Sequence, residues 1–183
     1  KEIIEPTIDE LIKRKIEYKG VLYFGLMITK SGPKVIEYNC RFGDPECQTI
    51  MPLMDFDFAN LLYKCATGKL IGNEKIIPSS KVSVCVIAAS KGYPEDYETG
   101  YPITFNNKIK NDQQIFHSGT SIREDMEVVT NGGRVLSIVC QGKNFDEAFN
   151  GAYETLSDIT FDGMYYRKDI GHQVRTRNSL ERK

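Results

Sequence analysis

The segment Lys34-Val35-Ile36-Glu37-Tyr38-Asn39-Cys40-Arg41-Phe42-Gly43-Asp44-Pro45-Glu46 constrains this chain more than any other. A short β-forming run ends in oxygen ligands and breaks into a turn carrying an arginine and two more carboxylates. Alternate side chains of a strand share a face. Val35, Glu37 and Asn39 are therefore expected to point one way, and Ile36 and Tyr38 the other. A carboxylate and an amide oxygen side by side on a strand suit Mg²⁺, which takes hard oxygen donors and keeps waters and substrate phosphates in its other positions. Arg41 lies just beyond and offers a planar cationic fork for a carboxylate or phosphate. Taken without a wider pattern, Glu37 and Asn39 are more often solvated strand-end residues. Arg41, Asp44 and Glu46 then form a turn held by inexpensive surface ion pairs.

The flanking sequence supplies the other arm of a hairpin. Val21 to Thr29 is apolar nearly throughout, as for a strand buried on both faces, and Lys30-Ser31-Gly32-Pro33 is a turn. Before it, residues 7–17 read as an amphipathic helix. Thr7 and Glu10 are placed as a capping box, and Ile8, Leu11, Ile12 and Ile16 form its stripe. The chain thus opens like the middle of a larger sequence. After the turn, residues 46–54 and 57–67 look helical, the second closed by Gly68.

The polar stretch 69–80, with Gly72, Asn73 and Pro78, reads as a subdomain boundary. Beyond it come a firm strand at 82–89, weaker ones near 103–105, 114–118 and 126–130, and another firm one at 134–140. Gly132-Gly133-Arg134 fits either a hairpin turn with a solvent-facing arginine or a device that brings Arg134 to a phosphate. Phe145 to Ile159 reads as a helix with Phe145, Ala148, Phe149, Ala152, Leu156 and Ile159 inward. The fold class is α+β.

Composition narrows the function. The 183 residues carry a net charge of -1, so nothing global attracts nucleic acid. No apolar run approaches the roughly 20 residues of a membrane helix, and the charged opening Lys1-Glu2 is not a secretory signal. Five cysteines without a C-x-x-C pair point to reduced thiols in a cytoplasmic protein rather than to zinc or redox chemistry. His117 and His172 are too far apart in sequence for a histidine metal centre, and His117 reads as a structural hydrogen-bonder.

The hairpin, its Glu37-x-Asn39 ending and the turn after it resemble the ATP-grasp ligases. Further motifs follow in order: Gly92-Tyr93-Pro94, Phe116-His117-Ser118-Gly119-Thr120, Gly132-Gly133-Arg134-Val135-Leu136 and Tyr166-Arg167-Lys168-Asp169-Ile170-Gly171. With Leu22 to Ile28 and Asn39 to Glu46, they look like the C-terminal half of the glycinamide ribonucleotide synthetases. The resemblance implies the larger lobe of an ATP-grasp fold, an antiparallel sheet with helices, followed by a C-terminal α+β subdomain. Residues 1–72 would end the ATP-grasp domain, 73–172 would be the subdomain, and 173–183 a tail or linker.

The implied reaction joins glycine to 5-phosphoribosylamine, with ATP going to ADP and phosphate through glycyl phosphate, in purine biosynthesis. The resemblance assigns Mg²⁺ or Mn²⁺ to Glu37 and Asn39, and substrate contact to Arg41, Gly43, Asp44, Pro45 and Glu46. Arg41 is expected to neutralise the glycine carboxylate or acyl phosphate, and Asp44 to orient the amine. Arg167 and Lys168 are expected to hold the ribose phosphate.

Strand residues Gly25-Leu26-Met27 carry no acidic metal ligand, as in the synthetase subfamily. Neither a phosphate-clamping glycine-rich loop nor its lysine-bearing strand is recognisable here, so those parts are expected in the same parent chain outside this stretch. The segment alone is expected to be inactive. The parent is expected to be fused, in some members, to other purine enzymes. Another ATP-grasp ligase of nucleotide metabolism, or a non-catalytic remnant or scaffold, are the competing readings.

Overall fold

Thr29 anchors the tight turn that makes the hairpin. Its hydroxyl donates to the Gly32 carbonyl at 2.7 Å and accepts from the Ser31 amide at 3.2 Å. Gly32 takes the positive φ of 95° that a glycine tolerates without strain. On either side, β1 (Tyr23–Thr29) and β2 (Gly32–Asn39) pair antiparallel. The computed structural model describes residues 1–72, 74–77, 79–106, 109–172 and 174. The tail expected at 173–183 lies, Val174 apart, outside the described residues.

Two expectations for the hairpin need correction. Gly25 pairs with Glu37 but Leu26 pairs with Val35, so Ile36 is the extra residue of a bulge and the simple alternation of β2 breaks there. β1 is not buried on both faces, since Met27 and Ile28 are exposed.

The first helix, α1 (Ile4–Lys13), starts earlier than the expected residue 7. Pro6 fits a first helical turn, where its missing N–H has no intrahelical partner to lose. Thr7 is consequently inside the helix and caps nothing; its hydroxyl donates back to the Ile3 carbonyl at 2.7 Å. Glu10 pairs with Arg14 at 2.7 Å and Lys13 at 3.5 Å instead of completing a capping box. Of the expected stripe only Leu11 is half-buried, while Ile8, Ile12 and Ile16 are exposed.

The helix expected over 46–54 is α2 (Glu46–Ile50) followed by a 3-10 turn, Met51–Leu53. Pro52 cannot donate to a continuing α-helix. In α3 (Phe58–Ala66), the Asp57 carboxylate caps the start by accepting from the Asn60 amide at 2.9 Å.

The chain divides into two units. The first takes in Lys1–Cys47 and Met54–Ile77; the second takes in Gln48–Leu53 and the described residues from 79 onward. Every buried apolar side chain among the described residues belongs to the second.

That second unit is built on a four-stranded antiparallel sheet. β3 (Val82–Ser90) and β8 (Arg134–Gly142) are central, flanked by β10 (Met164–Tyr165) and β5 (Gln113–His117). β8 is buried continuously from Val135 to Cys140. Against the sheet lies α4 (Phe145–Ser157), which buries Ala148, Phe149, Ala152 and Leu156. Asn144 caps it by accepting from the Glu147 amide at 3.0 Å, while Glu147 accepts from the Lys143 amide at 2.9 Å. Ile159, expected on this helix, instead opens β9 (Ile159–Thr160), paired with β4 (Thr104–Phe105).

A further pair, β6 (Thr120–Ile122) with β7 (Val128–Thr130), settles the Gly132-Gly133 question against a hairpin. β7 pairs with β6 and β8 with β3 and β5, so the diglycine carries the chain from one sheet to another. The turn is crowded: a side chain on Gly119 would meet Gly132, and one on Gly133 would meet the rings of Tyr93 and Tyr97. The Gly92-Tyr93-Pro94, Phe116–Thr120 and Gly132–Leu136 motifs thus meet at one corner. His117 bonds locally, Nδ1 to Thr120 Oγ1 at 3.1 Å, and tilts against Phe105.

Candidate functional site

β2 delivers Glu37 and Asn39 to the open end of the hairpin. Despite the bulge the two side chains meet, the Asn39 amide nitrogen donating to Glu37 Oε1 at 3.2 Å. Gly25 lies opposite Glu37, and a Cβ there would come within 2.9 Å of the glutamate Cγ, so the glycine leaves room for the carboxylate stem.

Tyr23, opposite Asn39 in the register, was not singled out by its sequence, where it is one aromatic in an apolar run. Its hydroxyl reaches Glu46 Oε1 at 3.5 Å. Burial first, and then the charges of Glu46 and Glu37, raise its pKa above the ordinary phenol value. The phenol therefore stays protonated and donates to Glu46, at the start of α2.

The turn folds on itself. Arg41 is exposed, and its Nη1 donates to the Phe42 carbonyl at 2.8 Å. The Cys47 amide donates to the Gly43 carbonyl at 3.0 Å, which starts α2. A side chain on Gly43 would run into the Glu46 carboxylate. The Asp44–Pro45 bond is cis. Burial, then the Asp44 charge, push the Cys47 thiol up. Glu37, Asn39, Arg41, Gly43, Asp44, Pro45 and Glu46 all belong to the first unit.

Arg167 and Lys168 belong to the second unit and border a cavity of about 630 Å³ lined by residues 164–169. The Arg167 fork is engaged by Asp169, Nε to Oδ1 at 3.0 Å and Nη2 to Oδ2 at 2.9 Å. This pairing holds the Asp169 carboxyl below its ordinary range and raises the guanidinium. The Arg167 carbonyl accepts from the Tyr153 hydroxyl at 2.9 Å, tying the segment to α4.

The donor set at the end of β2 is compatible with a hard divalent cation. Among the described residues no three His, Cys, Asp or Glu side chains gather as a metal cage. One carboxylate and one amide oxygen are a partial set, of the kind that suits Mg²⁺ when phosphates and waters fill the remainder. No helix among the described residues is long and apolar enough to cross a membrane.

Comparison with known proteins identifies the family of the chain. Residues 83–173 match the model of the phosphoribosylglycinamide synthetase C domain, and residues 1–47 that of its ATP-grasp (A) domain. A phosphoribosylamine–glycine ligase of Caldanaerobacter subterraneus is 48% identical over 92% of this chain. A bifunctional purine biosynthetic protein of Schizosaccharomyces pombe is 45% identical over 94% of it. The crystal structure of phosphoribosylamine–glycine ligase from Thermotoga maritima superimposes with a TM-score of 0.79, at 35% identity over 92% of the chain. The chain spans 40% of the bacterial relative, 22% of the fission yeast protein and 41% of the Thermotoga chain. Since both matched stretches are domains of one synthetase and the fold is that of a solved member, the chain belongs to the phosphoribosylglycinamide synthetase family.

Proposed function

We propose that this chain is the metal-and-acceptor part of an ATP-dependent ligase that joins glycine to 5-phosphoribosylamine and yields glycinamide ribonucleotide, ADP and phosphate. The observation that carries the reading is the Glu37–Asn39 contact at 3.2 Å, set beside the Arg41–Glu46 turn in one unit. Kinship to named phosphoribosylamine–glycine ligases supports it. A glycine carboxylate oxygen takes the terminal phosphoryl group of ATP and ADP departs. The amine then attacks the acyl carbon, the C–O bond breaks with its electron pair going to the departing phosphate, and the nitrogen releases one proton to solvent.

A divalent cation at Glu37 and Asn39, Mg²⁺ or Mn²⁺, supplies neutralisation of phosphate charge, the main demand of phosphoryl transfer. Arg41 faces solvent, and among the described residues its side chain has the bond to the Phe42 carbonyl to give up on meeting a carboxylate or acyl phosphate. Asp44 accepts a hydrogen bond from the attacking amine and orients its lone pair; Gly43, Pro45 and Glu46 shape the backbone around it. Arg167 keeps the edge of its fork that Asp169 leaves open, and together with Lys168 it holds the ribose phosphate.

Residues 1–72 act as the end of the ATP-grasp domain and 73–172 as the C-terminal subdomain. The nucleotide clamp comes from other parts of the parent chain, in a cytoplasmic enzyme that some relatives fuse to further purine activities. Arg41→Ala in the full-length enzyme tests the assignment: glycine-dependent ADP release should be lost, and retained turnover with unchanged glycine dependence defeats it.

A further inference from the structure

Of the three carboxylates around the Arg41–Glu46 turn, Glu37 and Asp44 are exposed and Glu46 is half-buried. The Glu46 side chain is boxed in. One oxygen faces the Tyr23 hydroxyl at 3.5 Å, and a Cβ on the buried Gly43 would overlap the other. The bond from the Cys47 amide to the Gly43 carbonyl, 3.0 Å, fixes the backbone beneath it. Among the described residues no lysine or arginine forms an ion pair with this carboxylate. Arg41, the cation nearest in sequence, turns to the Phe42 carbonyl.

A charge drawn part-way out of water loses hydration that a neutral phenol offsets only in part. A cationic group from outside the chain completes the compensation. The Tyr23 contact is longer than a tight hydroxyl–carboxylate bond, as in sites whose hydrogen bonds close when the ligand arrives. Tyr23 is itself half-buried on β1, and a phenylalanine would fill the same space, so its hydroxyl is not required for packing.

We infer that Glu46 receives the ammonium group of the amino-acid substrate, and that Tyr23 is the positioning residue that holds the Glu46 carboxylate in place. The inference rests on the ligase reading above. Glycine brings two charges into the site. In that reading its carboxylate goes to Arg41, while Glu37 serves the cation and Asp44 the ribosylamine. The ammonium is the charge still without a partner, and Glu46 is the carboxylate still without a cation. The pairing has a chemical use. A protonated nitrogen has no lone pair, so glycine cannot replace the ribosylamine as nucleophile toward the acyl phosphate.

The test uses Tyr23→Phe, Glu46→Gln and the double variant in the full-length enzyme. Glycine affinity is read by equilibrium dialysis of labelled glycine with Mg²⁺ and a non-hydrolysable ATP analogue. KM and kcat are read from glycine-dependent ADP release. Glycolate, with a hydroxyl where glycine has its ammonium, is the competing probe. Glu46→Gln should weaken glycine binding and raise its KM about tenfold or more, and Tyr23→Phe about threefold. In both, kcat should fall much less than KM rises, which also shows that the variants fold. The preference for glycine over glycolate should shrink by the same factors, and the cation concentration for half-maximal rate should not move. The double variant should match Glu46→Gln, because Tyr23 acts through Glu46.

Native glycine affinity in Glu46→Gln overturns the inference, as does an equal loss for glycine and glycolate. A shift in the cation requirement in place of glycine affinity also overturns it and assigns Glu46 to the metal. A native Tyr23→Phe enzyme, or losses that multiply in the double variant, removes the positioning role of Tyr23. Glycine binding that depends on Glu46 without ADP release defeats the ligase reading alone. Glycine-dependent ADP release that ignores both substitutions defeats this inference alone, and absence of both binding and release from the native enzyme defeats the two together.

Discussion

Gly25 faces Glu37 across the hairpin, and the Glu37 Cγ lies 2.9 Å from where a side chain on Gly25 would begin. The placement of one carboxylate therefore depends on the absence of a methyl group on the neighbouring strand. Gly25→Ala should push the Glu37 stem aside by a fraction of an ångström. In the full-length enzyme this should lower turnover by about tenfold or more and raise the divalent-cation concentration needed for half-maximal rate. A cation titration of ADP release checks it; a native titration curve would count against a cation at Glu37.

Glu37→Gln preserves shape and removes charge, while Asn39→Ala removes both an oxygen donor and the hydrogen bond to Glu37. Each should reduce cation-dependent activity of the full-length enzyme by about a hundredfold. On the proposed assignment of both groups to one ion, the double variant should lose less than the product of the two. Fully multiplicative losses would show that the residues work independently.

The packing of α4 on the sheet sets the stability of the second unit. Leu156 is 1% exposed there, so Leu156→Ala should cost about 2–5 kcal/mol. Urea unfolding followed by circular dichroism measures this. A loss under about 1 kcal/mol would mean that the helix does not seal the core.

The cysteines differ in reactivity for a physical reason. Burial, then the charges of Asp112 and Glu154, push the Cys140 thiol up to about 11, while Cys40 is exposed. Only the thiolate reacts, and at pH 8 a thiol with that pKa is ionised about one part in a thousand. Iodoacetamide at pH 8 should label Cys40 well before Cys140, and the Cys140 rate should rise as pH climbs toward 11. Peptide mass spectrometry reads the order; early labelling of Cys140 would show that the core opens.

Much of the site was legible because its geometry is local. A turn rich in glycine and proline between two β-forming runs makes a hairpin, and near-neighbour spacing on one arm brings Glu37 and Asn39 together. Other features depend on residues far apart in sequence. The bulge at Ile36 depends on how β1 pairs. The crossing at Gly132-Gly133 depends on β7 choosing β6. Tyr23 acquired interest only when the fold brought Glu46 to its hydroxyl.

The sequence by itself determined the α+β class, the hairpin with its paired oxygen donors, the principal strands and helix of the second unit, and the family resemblance. Turn preferences and side-chain periodicities act over a few residues, so a single chain can be read for them. Tertiary structure alone decided that Thr7 sits inside α1, that Arg167 is clasped by Asp169, and that Ile4, Ile8 and Ile12 face solvent while Leu156 does not. Burial and pairing depend on which distant elements arrive alongside, and an apolar residue carries the same periodic signal whether or not its partner is present.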